Sequence, residues 1–196
     1  IDPMDGTLPF IERINGFAVS IGLVSREGEP LLGVAHAPAL GDTCWAVKGG
    51  AAFHNGNPFR LQTESGILRI TFAWPDVAAA DNHARFNHIV EGLKELGRVR
   101  SVEMALHSGA VVKALGVCLK PPMIYLSFPR PGGASLWDFA ATACIVKAAG
   151  GWATDIFGQP MELNRPDSTY MHHKGILYAS DEELARVVID RYNGWT

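Results

Sequence analysis

The chain has 196 residues, of which 47% are apolar, and its formal net charge is −3. This size and apolar content suit one domain with a buried hydrophobic core. The acidic balance, without a lysine- or arginine-rich run, excludes a protein that binds the nucleic-acid backbone. The sequence also has no apolar stretch of membrane-spanning length, so we expect no membrane partner. The three cysteines, Cys44, Cys118 and Cys144, lie in apolar sequence and are predicted to be buried thiols of a reducing, cytoplasmic compartment.

The first seven residues place two carboxylates, Asp2 and Asp5, three positions apart. Pro3 favours an extended backbone at Asp2, which predicts the end of a strand there. Asp5, Gly6 and Thr7 predict a turn that enters a helix. The carboxylates and the free backbone amides would then point to one place. Carboxylates are suitable ligands for Mg²⁺, and free amides at a helix start can bind phosphate. The alternative is an ordinary turn with a helix cap, because Asp-Pro and Asp-Gly are common turn pairs.

The first half of the chain is predicted to form a β meander. Large and small residues alternate over 17–24, with Phe17, Val19, Ile21 and Leu23 on one face, which is typical of a strand. Asn55-Gly56 is a strong hairpin signal. Further strands are predicted at 31–37, 43–47, 51–53 and 68–72.

In the second half, helices and strands alternate, which favours an α/β layered domain. Helices are predicted at 85–96, 105–115 and 136–149, with a last helix that ends at Tyr192. Ser180 and Glu183 are expected to form a capping box for that last helix. Strands are predicted at 98–102, 123–128 and 176–179.

Two separate motifs carry a resemblance to a known family. Asp2-Pro3-Met4-Asp5-Gly6-Thr7, with Phe10 behind it, resembles one signature of the inositol monophosphatase superfamily, the lithium-sensitive, Mg²⁺-dependent phosphomonoesterases. Trp137-Asp138, followed by small residues that close on Ala149-Gly150-Gly151, resembles the other. The resemblance covers nearly the whole chain. It implies an α/β fold, a layered α-β-α-β sandwich of the inositol monophosphatase or sugar phosphatase type, and a homodimer.

The expected domain is a single phosphatase domain over 1–196, with a β-rich layer at 1–75 and an α/β layer at 76–196. In the family, an N-terminal region contributes a metal-binding Glu, the acidic residue that activates water and a lithium-sensitive loop. These do not occur before Ile1, so we expect them in a longer parent protein.

A competing phosphatase class shares part of the first motif. Asp-Gly-Thr-Leu also ends the nucleophile motif of the haloacid dehalogenase-like phosphatases, which need an Asp two residues before Asp5. Pro3 occupies that position, so the covalent aspartyl-phosphate route lacks its nucleophile.

The resemblance implies a site that holds two or more Mg²⁺ ions. Asp2, Asp5, Asp138 and the Met4 carbonyl would bind the metals. For Asp138, the residue pattern alone also fits a helix cap favoured by the helix dipole. Metal-bound water removes the need for a histidine base, so we assign no catalytic role to the seven histidines.

The same resemblance implies how the phosphate is held. Gly6 and Thr7 would offer backbone amides to it, and the Thr7 hydroxyl would help orient the attacking water. Asp5 and Thr7 are therefore the predicted catalytic residues. Asp138 is also expected to face the substrate.

Substrate choice depends on a short loop before Trp137. Inositol phosphatases carry a Glu where this chain has Pro131, and Pro129-Arg130 looks like the 3′(2′),5′-bisphosphate nucleotidase branch. Arg130 is therefore predicted to bind a second phosphate, the alternative being a solvated arginine. Glu103-Met104 stand where the family has Gly-Ser or Gly-Thr, and Ser108 is the expected substitute in the substrate-facing loop.

Three functions follow from these residues. The leading prediction is an adenosine 3′(2′),5′-bisphosphate nucleotidase, and the runner-up is an inositol monophosphatase. The hypothesis from another class is a non-catalytic relic that binds phosphate or nucleotide.

Overall fold

The computed structural model describes residues 1–72, 80–104 and 108–195. Its first sheet has six antiparallel strands that neighbour one another in chain order. These strands are β1 (Asp2–Asp5), β2 (Ala18–Val24), β3 (Pro30–Ala37), β4 (Asp42–Val47), β5 (Ala52–His54) and β6 (Asn57–Phe59). The predicted hairpin at Asn55-Gly56 joins β5 to β6, and both of its residues have positive φ angles, 47° and 84°.

The second sheet has five strands in the order β10-β11-β9-β7-β8. They are β7 (Gly66–Phe72), β8 (Val99–Met104), β9 (Met123–Ser127), β10 (Trp152–Thr154) and β11 (Ile176–Ala179). Strand β7 is parallel to β8 and β9, whereas β11 is antiparallel to β9 and β10. Strand β7 belongs to this sheet, so the chain passes from the first sheet to the second between Phe59 and Gly66. Strand β10 had no counterpart in the sequence prediction.

Five α-helices complete the described chain. They are α1 (Thr7–Ile11), α2 (Ala80–Lys94), α3 (Ala110–Leu119), α4 (Leu136–Ala148) and α5 (Glu182–Asn193). Helix α4 packs on β2, β3 and β4, while α3 packs on α4 and β9. Helices α2 and α5 pack together on the other side of the second sheet, against β8 and β11. The layers therefore run sheet, helices, sheet, helices, as expected for the α-β-α-β sandwich.

Two hydrophobic cores hold these layers together, and β9 separates them. Met123 and Tyr125 face the core around α3 and α4, whereas Ile124 and Leu126 face the core around α2 and α5. A strand covered on both faces is mostly apolar, which explains the apolar run from Met123 to Leu126 in β9. The three cysteines are buried free thiols in the first core, as predicted.

The first sheet meets α4 through its small residues. A Cβ atom on Gly33 would overlap the carbonyl oxygen of Ala141, and one on Gly22 would lie 2.7 Å from the Ala140 Cβ. The larger residues of the alternating pattern, including Ile21 and Leu23, lie on the opposite, exposed face. The alternation of large and small residues in β2 was thus predicted correctly. The pattern did not show that the small residues are the ones that face α4.

Two predicted helix boundaries and one predicted helix cap were wrong. Helix α2 begins at Ala80, before residue 85. Helix α3 begins at Ala110 and runs to Leu119; residues 105–107 of the predicted helix lie outside the described residues. Helix α5 is capped by Asp181, whose carboxylate accepts from the Leu184 amide at 3.1 Å, so the predicted Ser180–Glu183 capping box does not form. Among the described residues, no helix has the length and apolarity needed to cross a bilayer.

Candidate metal centre

The candidate site begins at the sharp turn between β1 and α1. Strand β1 continues to Asp5 and does not end at Asp2 as predicted. Gly6 then adopts φ 77°, and a Cβ atom there would lie 2.5 Å from the Gly16 carbonyl oxygen, so glycine is required. Thr7 opens α1, and its hydroxyl donates to the Met4 carbonyl at 3.4 Å.

Three of the predicted carboxylates meet beside this turn. Oxygen atoms of Asp2, Asp5 and Asp138 all lie within 4.8 Å of one another. Asp2 and Asp5 are only 8% and 7% exposed, and Asp138 is half-buried in the first turn of α4. The chain thus brings the two ends of β1 to the start of a helix more than a hundred residues away.

Asp138 also caps its own helix. Its Oδ2 atom accepts a hydrogen bond from the Ser135 amide at 2.7 Å, which is half of a capping box. The helix-cap interpretation and the metal-site interpretation are therefore compatible, because one carboxylate oxygen serves the cap and the group still faces Asp2 and Asp5.

The Asp5 carboxylate binds the first backbone amides of helix α3. Its two carboxylate oxygens accept from the amides of Ala110 and Val111 at 3.1 and 2.9 Å. A side chain on Gly109 would overlap the Asp5 carboxylate, so the approach of α3 depends on glycine there. Ser108, just before it, lines a cavity of about 370 Å³ together with Thr71 and Lys113.

Burial shapes the electrostatics of the cluster. It raises the pKa of Asp5 to about 6, against the lowering effect of the Val111 amide. It raises the pKa of Asp138 to about 7, helped by the neighbouring Asp2 and Asp5 and opposed by the Ser135 amide. Three crowded carboxylates, of which Asp5 and Asp138 have raised pKa values, fit a divalent cation, because a hard cation binds oxygen ligands and neutralises their charge.

Lys113 is a neighbour of the site that sequence reasoning missed. Its charge lowers the pKa of Asp5, and its Nζ atom lies 5.5 Å from the ring centre of Tyr125. The available signal was a single charged residue within the otherwise apolar α3.

Comparison with known proteins identifies the family of the chain. The model of the inositol monophosphatase family matches residues 1–193. The chain belongs to this family. A fructose-1,6-bisphosphatase/inositol-1-monophosphatase of Thermotoga maritima is 30% identical over 99% of the chain and 70% of the relative. A 3′(2′),5′-bisphosphate nucleotidase CysQ of Aggregatibacter actinomycetemcomitans is 32% identical over 86% of the chain and 59% of the relative.

The solved structures agree with this membership. An inositol monophosphatase (IMPase) of Thermotoga maritima superposes with a TM-score of 0.69 at 26% identity, covering 100% of this chain and 70% of that one. The chain therefore spans about three fifths to seven tenths of the length of these family members. The family members named here are phosphatases that act on different small phosphorylated molecules.

The predicted substrate residues lie on the surrounding loops. Arg130 is half-buried in the loop between β9 and α4, and its amide donates to the His172 carbonyl at 2.8 Å. Pro131 beside it is exposed. Glu103 and Met104, the residues that depart from the family pattern, form the exposed end of β8.

Proposed function

We propose that this protein hydrolyses a small-molecule phosphate monoester with water activated by Mg²⁺. The observation that carries the proposal is the cluster of Asp2, Asp5 and Asp138, whose carboxylate oxygens lie within 4.8 Å of one another. Buried like charges destabilise a fold unless a cation balances them. The carboxylates, with the Met4 carbonyl, would hold two or more ions.

The chain's own groups have distinct roles in this proposal. Bound divalent ions supply positive charge next to the phosphate and make a water molecule more acidic. The amides of Gly6 and Thr7 bind phosphate oxygens, and the Thr7 hydroxyl orients the attacking water. In the structure this hydroxyl donates a hydrogen bond to the Met4 carbonyl, which is itself a proposed metal ligand. The half-buried Asp138 carboxylate would bind a metal ion and face the substrate.

The proposed substrate is an adenosine 3′(2′),5′-bisphosphate. The charge of Lys113 acts on Asp5, and Arg130, in the loop that leads to α4, acts together with Lys113 on His172. Two such cations suit a substrate with a second phosphate, because charge-assisted contacts bind phosphate strongly. The family includes a bisphosphate nucleotidase, which is compatible with this choice. Inositol monophosphate is the second candidate, since the Thermotoga relative carries that activity in its name.

Phosphate release from a panel of monoesters tests this function. The full-length protein is incubated with adenosine 3′,5′-bisphosphate, inositol 1-phosphate and a simple monophosphate, each with Mg²⁺ or with EDTA. We expect release only with Mg²⁺ and the largest kcat/KM for the bisphosphate. Binding of the bisphosphate without any turnover would instead indicate the non-catalytic relic. The homodimer and the cytoplasmic location belong to the same proposal, and sedimentation and fractionation would test them.

A further inference from the structure

His172 is a buried histidine, one of the seven to which the sequence analysis assigns no catalytic role. The structure puts it in a short 3-10 turn, His172–Lys174, where it is only 2% exposed. Among the residues that the structure describes, neither ring nitrogen has a hydrogen-bond partner. Buried polar atoms are almost always paired, so an unpaired pair of nitrogens requires an explanation.

The imidazole lies between the loop that carries Arg130 and the helix that carries Asp138. A Cβ atom on Gly133 would overlap the ring, so the ring packs directly on that loop's backbone. On another side its centre lies 5.8 Å from the ring of Phe139, the residue that follows Asp138. The His172 carbonyl also accepts the Arg130 amide at 2.8 Å. His172 therefore contacts both parts of the proposed site.

Its surroundings keep this imidazole neutral. Burial, followed by the charges of Arg130 and Lys113, lowers the pKa of His172 to about 4. A neutral imidazole offers one N–H donor and one acceptor. It therefore adds a hydrogen bond beside two cations without adding a third positive charge.

We propose that His172 is a substrate-binding residue whose ring N–H donates to an oxygen of the second phosphate, the one that Arg130 binds. This inference rests on the proposed bisphosphate nucleotidase function. The nitrogens are shielded from solvent in the free protein, so this contact requires the loop that carries Arg130 to move when the phosphate binds. The unpaired N–H then gains the partner that it lacks in the free protein.

The test compares two phenylalanine variants. His172→Phe keeps an aromatic ring against Gly133 and Phe139 but removes both nitrogens. His173→Phe is the matched control, because His173 is paired with Glu162 at 2.8 Å. We measure kcat/KM for adenosine 3′,5′-bisphosphate and for inositol 1-phosphate at fixed Mg²⁺ and salt, together with the thermal midpoint.

We expect His172→Phe to lower the preference for the bisphosphate about tenfold, mainly through KM, which is the effect of losing one hydrogen bond to a charged group. Its midpoint should not fall, since two unpaired buried atoms are removed. His173→Phe should keep the wild-type preference. His172→Gln, which restores an N–H, should recover part of the loss.

Two results would overturn the role of His172. An unchanged preference in His172→Phe would mean that the ring only packs. Equal losses on both substrates with a lower midpoint would mean that it only supports the loop. A wild type that acts on inositol phosphate alone would refute the nucleotidase function, and the second-phosphate contact with it. That outcome is visible before any variant is made.

Discussion

Replacing Asp5 by asparagine should stabilise the metal-free protein and at the same time destroy its function. Asp5 is buried, and burial raises its pKa from 3.8 to about 6. Below pH 3.8 the group is protonated in both the folded and the unfolded states, and folding carries no penalty from its charge. As the pH rises through 6 the folded state must ionise it, and stability is lost.

The size of the effect follows from that pKa. One pKa unit corresponds to about 1.4 kcal/mol, so at pH 7.5 the ionised Asp5 costs the metal-free fold about 3 kcal/mol. Asparagine removes this cost but keeps only one acceptor oxygen for the amides of Ala110 and Val111. The lost hydrogen bond costs about 1 kcal/mol. The variant should gain about 2 kcal/mol, which raises the melting temperature by about 4–8 °C for a chain of this size.

The assay is thermal unfolding in EDTA and in Mg²⁺, combined with phosphate release. In Mg²⁺ the wild type should be stabilised by metal binding, whereas Asp5→Asn should respond little and lose most activity. Asp190→Asn, at an exposed position on α5, is the control and should behave as wild type. A variant that melts lower than wild type in EDTA, or one that Mg²⁺ stabilises equally, would refute the reasoning.

Three further results are expected. Arg130→Ala should reduce specificity for the bisphosphate by about ten- to a hundredfold in paired kcat/KM measurements, and equal losses on a monophosphate would show that Arg130 only supports its loop. The metal-free wild type should lose stability as the pH rises from about 4 to 7, because the raised pKa values of Asp5 and Asp138 favour the protonated folded state. Thermal melts in EDTA across that pH range would measure this loss of stability. Saturating Mg²⁺ should remove the loss. Gly33→Ala should destabilise the fold by about 1–3 kcal/mol in denaturant titrations, since its methyl group would overlap the Ala141 carbonyl, and an unchanged midpoint would contradict the close packing of α4.

The turn after Asp2 and Asp5 could be predicted from the sequence, because neighbouring residues determine its backbone conformation. Pro3 restricts the backbone beside Asp2, and Gly6 permits the positive φ angle that the turn requires. Asp138 could be placed at a helix start by its own sequence, and the family resemblance linked it to the other two. Its approach to Asp2 is visible only in three dimensions.

Other features depended on contacts between distant residues. Asp181 caps α5 while it is paired with Arg98 at 2.6 Å, a partner that no local pattern reveals. The burial of His172 depends on Gly133, nearly forty residues earlier. The inward face of β2 was ambiguous because alternation defines two faces and does not say which one meets a helix.

Because β1 lies at the edge of the first sheet, a metal ion at the candidate centre would also affect the local stability of this strand. An edge strand is joined to its sheet on one side, and such strands open by local unfolding more readily than central ones. A cation held between Asp2, Asp5 and Asp138 would tie this strand to α4, and each opening of the strand would then require the cation to leave. The local opening free energy of β1 would therefore rise with Mg²⁺ concentration, and amide hydrogen exchange in β1 would slow while exchange in the central strand β9 stayed the same.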